Sequence, residues 1–124
     1  MEGISHECCA LAGAWKLNKL VALYDDNGIS IDGAVRPWYV DNVRQRFEAY
    51  GWDVIKPIDG QDVATVDAAL ARARKSSTRP TLIVCSTTIG KGSPHRAGTA
   101  KAHGEALGVD GVRVVGPQGA RRRC

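Results

Sequence analysis

The chain has 124 residues, of which 44% are hydrophobic, and its formal net charge at pH 7 is +4. That length is typical of one small domain, and the lack of any apolar run near ~20 residues excludes a membrane-spanning helix from the predicted elements. The excess of basic residues does not indicate a nucleic-acid partner, because most of it lies in one terminal segment. Residues 109–124 carry a net charge of +3, and residues 1–108 carry only +1.

The N-terminal sequence and the cysteines predict a cytoplasmic protein. Residues 1–7 are polar and acidic, unlike a signal peptide. The cysteines are Cys8, Cys9, Cys85 and Cys124. Two of them are adjacent and none belongs to a CxxC pair, so we interpret all four as reduced thiols.

The first third of the sequence predicts a helix and then a strand. Apolar positions in residues 2–17 recur at spacings of four, three and four, which predicts a helix with one apolar face. Those positions are Ile4, Cys8, Leu11 and Trp15. Residues 20–24 form a continuous apolar run that predicts a strand buried on both faces. Turn-forming residues 25–28 end that strand, and residues 29–31 form a second short extended segment.

The middle of the sequence predicts a loop, a second helix and a second strand. Residues 34–40 form the loop, and Asp41 is the expected N-cap of a helix that continues to Tyr50. The apolar side of that helix holds Val43, Phe47 and Tyr50. Residues 52–55 predict the strand.

A third helix and a third strand follow. Asp62 begins the helix, whose apolar positions step by three, four and three. They are Val63, Val66, Leu70 and Ala73. Residues 81–85 predict a third buried strand. We assign the aromatic side chains Trp15, Trp38, Trp52, Tyr24 and Tyr50 to packing.

Strands that alternate with helices in this way predict an α/β fold, with a parallel sheet and flanking helices. Ligands bind such sheets beyond the carboxyl ends of the strands. The two loops that qualify are residues 25–29 and residues 87–103.

The first of these loops offers oxygen ligands for a hard cation. Asn27 carries an amide oxygen and Ile29 a main-chain carbonyl two residues later, and such oxygens suit Mg²⁺. The alternative is an ordinary turn in which Asp and Asn side chains bind their own backbone. The second loop is rich in glycine, which lets backbone approach a diphosphate, and His103 could donate to phosphate or move a proton. Its alternative is a flexible connection.

Eight short segments follow one another over residues 1–108: MEGISHE (residues 1–7), LAG (11–13), YDDNGISIDG (24–33), RFEAYGW (46–52), PTLI (80–83), IGxGSP (89–94), AGT (97–99) and HG (103–104). In this order and at this spacing they resemble the transketolase family.

The resemblance implies an enzyme that transfers a two-carbon ketol unit between sugar phosphates in the pentose phosphate pathway. Its cofactors would be thiamine diphosphate and Mg²⁺, with Ca²⁺ or Mn²⁺ as substitutes. Asn27 and the Ile29 carbonyl would bind the metal, and Asn27, Ile89 and His103 the cofactor. His103 would also be catalytic, and Glu2 would lie at the interface of a homodimer.

The resemblance also implies an incomplete diphosphate-binding domain. The family's Gly-Asp-Gly motif, which supplies the anionic Mg²⁺ ligand, would precede Met1, and the pyrimidine-binding domain is absent from the sequence. We therefore expect the isolated chain to be inactive and poorly stable, with exposed edges or apolar faces at residues 20–24 and 82–85. Residues 109–124 are expected to be an irregular basic tail outside the family, produced by a frameshift near Gly111.

Two alternatives stay open at this point. The chain could belong to another thiamine-diphosphate enzyme, of the dihydroxyacetone synthase or deoxyxylulose-phosphate synthase type. It could also be a non-catalytic binding remnant whose residues 121–123, all arginine, attract nucleic acid or an anionic surface.

Overall fold

The computed structural model describes residues 3–109 and residue 111. Its elements are α1 (Gly3–Ala14), β1 (Val21–Asp26), β2 (Ile29–Ser30), β3 (Gly33–Ala34), α2 (Val43–Ala49), β4 (Asp53–Asp59), α3 (Val63–Ala73), β5 (Thr81–Ser86) and a 3-10 turn, η1 (Ala100–His103). The described residues form two compact units. The first unit holds residues up to Asp26 together with Asp41–Thr87, and the second holds Asn27–Val40 together with the described residues from Thr88 onward.

The first unit contains a three-stranded parallel sheet in the order β1-β5-β4. Val21 and Asp53 lie on either side of Thr81 at the start of β5, so the three strands begin at one edge of the sheet. This arrangement, with helices beside it, confirms the predicted α/β class.

The central strand β5 is the centre of the core. Its first five residues are all buried, and Ile83 packs with Ile55 of β4 and with Ala69 and Ala73 of α3. The small side chains of α3 allow the helix to lie close to the sheet. Val63 is predicted to lie on the buried face of α3, but it is exposed. It is the first residue of the helix, and α3 contacts the sheet through residues nearer its other end, Ala69 and Ala73.

Strand β1 lies at the edge of the sheet, so the prediction that it is buried on both faces is wrong. Among the described residues it pairs only with β5, and its side chains are half-buried or exposed rather than buried on both faces. The expectation of exposed apolar groups is confirmed here, where Leu20 and Leu23 face solvent. It is wrong for residues 82–85, because β5 has a neighbour on each side.

Helix α1 is present, but its apolar face does not enter the core of the first unit. Ile4 is 69% exposed and Trp15 is 65% exposed. The helix packs through its other side, where the Trp52 indole N–H donates to the Cys9 carbonyl at 2.8 Å. Trp52 is buried, which confirms its packing role. Trp15 and Trp38 are exposed, so their assignment to packing is wrong within the described structure.

The cap of α2 differs by one residue from the predicted one. Asn42, not Asp41, is the N-cap, and its side-chain oxygen accepts from the Gln45 backbone N–H at 3.0 Å. Asp41 instead pairs with the Arg46 guanidinium. The predicted N-cap of α3 is confirmed, since the Asp62 carboxylate accepts from Thr65 N–H.

Two irregular features were not predicted. The extended segment predicted at residues 29–31 is present as β2, but its pairing with β3 in a short antiparallel hairpin was not predicted. In that hairpin the Ser30 hydroxyl donates to the Gly33 carbonyl. β4 continues past residue 55 because a register shift between Ile55 and Ile58 absorbs Pro57 within the strand. No helix in the described part of the chain is long and apolar enough to cross a membrane.

The three described cysteines are free thiols and are expected to react in a fixed order. Burial raises the pKa of Cys85, and the Asp25 carboxylate raises it further. Burial raises the pKa of Cys9, with a smaller contribution from Cys8. A raised pKa leaves less thiolate at a given pH, so alkylation slows. Exposed Cys8 should therefore be labelled first by iodoacetamide and Cys85 last, as peptide mass spectrometry would show. Equal rates at Cys8 and Cys85 would contradict the described packing of β5.

Candidate functional site

The two loops singled out in the sequence leave the sheet from neighbouring strands. Asp26 at the end of β1 lies opposite Ser86 at the end of β5. The Thr87 hydroxyl donates to the Asp25 carboxylate, which links the two strand ends. The loops therefore begin side by side at the carboxyl edge, the edge at which parallel sheets bind ligands.

In the second unit, Asn27 forms a turn with its own backbone. Its side-chain oxygen accepts from the Ile29 N–H at 2.9 Å, and Gly28 between them takes a left-handed φ of 69°. The ordinary-turn alternative is thus present in the structure. It does not compete with a ligand role, because an amide oxygen has two lone pairs and the turn fixes where that oxygen lies relative to Ile29.

The Ile29 carbonyl lies against His103. His103 Nε2 is 3.1 Å from the Ile29 oxygen. A carbonyl oxygen can only accept, so Nε2 carries the hydrogen, and in the neutral ring Nδ1 is then the acceptor. The structure therefore brings together three of the four predicted cofactor and metal residues, although 74 positions separate Ile29 from His103.

The fourth predicted residue, Ile89, lies in a loop that packs on η1. Gly90 has a φ of 64°, and a Cβ built on it would lie 3.0 Å from the Ala102 Cβ. A larger residue at position 90 would push the loop that contains Ile89 away from η1, the turn that ends at His103. The Gly98 N–H donates to the Ile89 carbonyl at 2.8 Å and closes the loop. Ile89 itself is half-buried.

An ion pair that the sequence did not indicate holds η1 in place. The Arg96 guanidinium donates to the Glu105 carboxylate at 2.6 Å and lies 3.5 Å from the Lys101 carbonyl. These residues flank η1 on both sides in the chain, so their contacts fix the position of His103. The spacing of nine residues in an irregular segment has no helix or strand period, and no sequence pattern would have identified the pair.

The donor chemistry of this site fits part of a Mg²⁺ coordination sphere. The Asn27 amide oxygen and the Ile29 carbonyl are hard oxygen ligands, and both are neutral. No group of three or more His, Cys, Asp or Glu side chains able to hold a metal occurs among the described residues. Glu2 and nearly all of the expected tail, residues 109–124, lie outside the described residues.

The comparisons with known proteins define the class. The model of the transketolase thiamine diphosphate-binding domain matches residues 1–118. The chain belongs to the transketolase family.

Individual relatives agree with that class. The chain is 57% identical over 108 residues to transketolase 1 of Escherichia coli, which covers 87% of this chain and 16% of that protein. It is 56% identical over 115 residues to the chromosomal transketolase of Cupriavidus necator, and this match covers 93% of this chain and 17% of that protein.

Solved structures show the same fold. A transketolase from Campylobacter jejuni superimposes with a TM-score of 0.88 at 43% identity, covering 96% of this chain and 18% of that chain. A Pichia stipitis transketolase in complex with sedoheptulose 7-phosphate also gives a TM-score of 0.88, at 38% identity. That match covers 95% of this chain and 18% of that chain. The chain thus spans less than a fifth of the length of the relatives it matches.

Proposed function

We propose that this chain is the part of a transketolase that holds the diphosphate end of thiamine diphosphate together with Mg²⁺. The enzyme would transfer a two-carbon ketol unit between sugar phosphates in the pentose phosphate pathway. The observation that supports this most is the contact of His103 with the Ile29 carbonyl beside the Asn27 turn. The Pichia stipitis relative bound to a sugar phosphate supports the substrate class.

Each residue has a proposed role. Asn27 and the Ile29 carbonyl bind Mg²⁺, and the Asn27 amide N–H donates to the diphosphate. The Nε2 hydrogen of His103 donates to the Ile29 carbonyl in the described structure. When that carbonyl binds Mg²⁺, the same hydrogen would be donated to an anionic oxygen of cofactor or substrate instead. Ile89 forms an apolar wall of the cofactor site. When bound, thiamine diphosphate supplies the carbon nucleophile of the reaction.

We also propose a cytoplasmic homodimer. Helix α1 follows directly on Glu2, the proposed interface residue. An apolar stripe of Ile4 and Leu11 on this helix and of Trp15 just after its end is exposed. A second copy of the chain would remove this stripe from water, which is the usual use of an exposed apolar patch on a helix. The free state of the described cysteines supports a reducing compartment.

The proposed function can be tested in a hybrid enzyme. In it, the matched 108-residue segment of Escherichia coli transketolase is replaced by its counterpart from this chain. The hybrid enzyme should transfer ketol units from a ketose phosphate to an aldose phosphate in a Mg²⁺-dependent manner. If the hybrid enzyme unfolds at the same temperature as the Escherichia coli enzyme but transfers no ketol unit, the proposal is contradicted.

The isolated chain should bind thiamine diphosphate and Mg²⁺ only weakly. The two proposed metal ligands are neutral, and Mg²⁺ gives up water reluctantly without charged ligands. Titration calorimetry of the full chain with thiamine diphosphate at saturating Mg²⁺ should therefore give a dissociation constant of about 1 mM or weaker, which corresponds to only about 4 kcal/mol of binding free energy. Micromolar binding would show that the described residues form a complete site.

A further inference from the structure

Five cations gather at the edge of the first unit where the strands begin, opposite the carboxyl edge. Lys16 and Lys19 lie in the loop before β1, and the others lie in the loop before β5. The set, called here the basic edge, is Lys16, Lys19, Arg74, Lys75 and Arg79, all exposed. The two loops are tied together, since the Thr81 N–H donates to the Leu20 carbonyl at 3.0 Å and the Asn18 amide reaches the Ser76 carbonyl at 3.5 Å.

The basic edge is not neutralised by its own unit. The ion pairs of the first unit in the described part of the chain use Arg44, Arg46 and Arg72, and none of them includes a member of the basic edge. Asp53 begins β4 at this same edge, where it lies 4.0 Å from Arg72, whereas Asp25, Asp26 and Asp59 lie at the other end of the strands. The nearly neutral composition of residues 1–108 therefore hides an excess of positive charge at the edge where the strands begin.

Lys16 occupies a backbone position that favours glycine. Its φ is 53°, and it is the only non-glycine residue with a positive φ among those described. The Lys16 N–H donates to the Gly13 carbonyl and the Leu17 N–H to the Ala12 carbonyl. These two bonds form the left-handed cap that usually ends a helix with glycine. A lysine at this position is conformationally unfavourable, and strain of this kind is concentrated at functional surfaces.

Apolar groups alternate with these cations. Leu17 lies between Lys16 and Lys19, Leu20 follows, and both leucines are exposed. A nucleic-acid backbone would complement the charges and leave the leucines without a partner. A polypeptide that carries both carboxylates and apolar side chains would complement both. We propose that the basic edge is a docking surface for an acidic, leucine-containing segment of a separate partner protein.

The test is fluorescence anisotropy of a labelled peptide of repeated Glu-Glu-Leu with the full 124-residue chain. Binding should weaken as salt rises. Lys16→Gly, Lys19→Gln and Arg79→Gln should each weaken it about two- to fivefold, in line with exposed ion pairs. Lys56→Gln, an exposed cation in the middle of β4, is the matched control and should leave binding unchanged. Lys16→Gly should at the same time raise the unfolding temperature, so weaker binding cannot be ascribed to lost structure.

Each of the following results would overturn the proposal. One is an absence of peptide binding, and another is equal weakening by Lys56→Gln, which would show a general charge effect. A third is tighter binding of a single-stranded DNA oligonucleotide than of the peptide, or of a Glu-Glu-Ser peptide than of the Glu-Glu-Leu peptide. The last is binding by the chain but not by the hybrid enzyme, which would show that the rest of a transketolase covers this surface.

Discussion

Replacing Gly13 with alanine should destabilise the chain by about 3 kcal/mol, at the upper end of the range for overpacked sites. A Cβ at Gly13 would lie 1.7 Å from the Tyr50 carbonyl oxygen and 2.9 Å from its carbonyl carbon. Because both contacts are with backbone, no side-chain rotation can relieve them. Helix α1 would have to move away from α2, and the hydrogen bond from the Trp52 indole to Cys9 would lengthen. Urea unfolding followed by tryptophan fluorescence measures the effect.

Gly3→Ala on the same helix is the matched control. Nothing lies within 4 Å of a Cβ at that position, and alanine is a better helix former than glycine by up to about 1 kcal/mol. The control should leave stability unchanged or raise it. A Gly13→Ala chain as stable as the Gly3→Ala chain would show that α1 does not pack against Tyr50 as described.

Replacing Asn27 with alanine in the hybrid enzyme should weaken thiamine diphosphate binding at fixed Mg²⁺ by at least about 100-fold. Loss of an outer-shell partner of a metal site already costs about 10- to 100-fold, and Asn27 is proposed to act both as a ligand and as the group that orients Ile29. The measurement is calorimetric titration with the cofactor. Activity should fall in parallel at subsaturating cofactor and recover in part when cofactor and Mg²⁺ are raised.

Asn42→Ala is the control for this prediction. Asn42 caps α2 in the first unit, so its loss should cost about 1 kcal/mol of stability and leave cofactor affinity unchanged. If Asn27→Ala and Asn42→Ala weakened cofactor binding equally, the effect of Asn27 would be one of stability rather than of metal binding.

The sequence predicted the regular elements well because their periods are local. The spacing of apolar residues located α1, α2 and α3, and the apolar run at residues 81–85 located the central strand. Periodicity did not show which face of α1 would be buried, since Ile4 and Trp15 have the helical spacing but remain exposed. That choice depends on Gly13 and on the Trp52 hydrogen bond, which are contacts between segments distant in the chain.

The candidate site was predicted in composition but not in its internal contacts. Asn27, Ile29 and His103 were singled out first by the chemistry of their loops and then by the family resemblance, whereas Ile89 came from the resemblance alone. The roles of all four stay predictions. The contact of His103 with Ile29 and the Arg96–Glu105 ion pair join irregular loops. No period relates such positions, so only a three-dimensional structure could show them.

The most direct test of the central proposal is titration of the hybrid enzyme with thiamine diphosphate, with and without Mg²⁺. If Asn27, Ile29 and His103 of this chain hold the metal and diphosphate, the hybrid should bind with an affinity within about tenfold of the parental enzyme, a difference of no more than about 1.4 kcal/mol, and binding should require Mg²⁺. A hybrid that unfolds at the parental temperature yet binds no cofactor, or binds it equally well without Mg²⁺, would contradict the proposal.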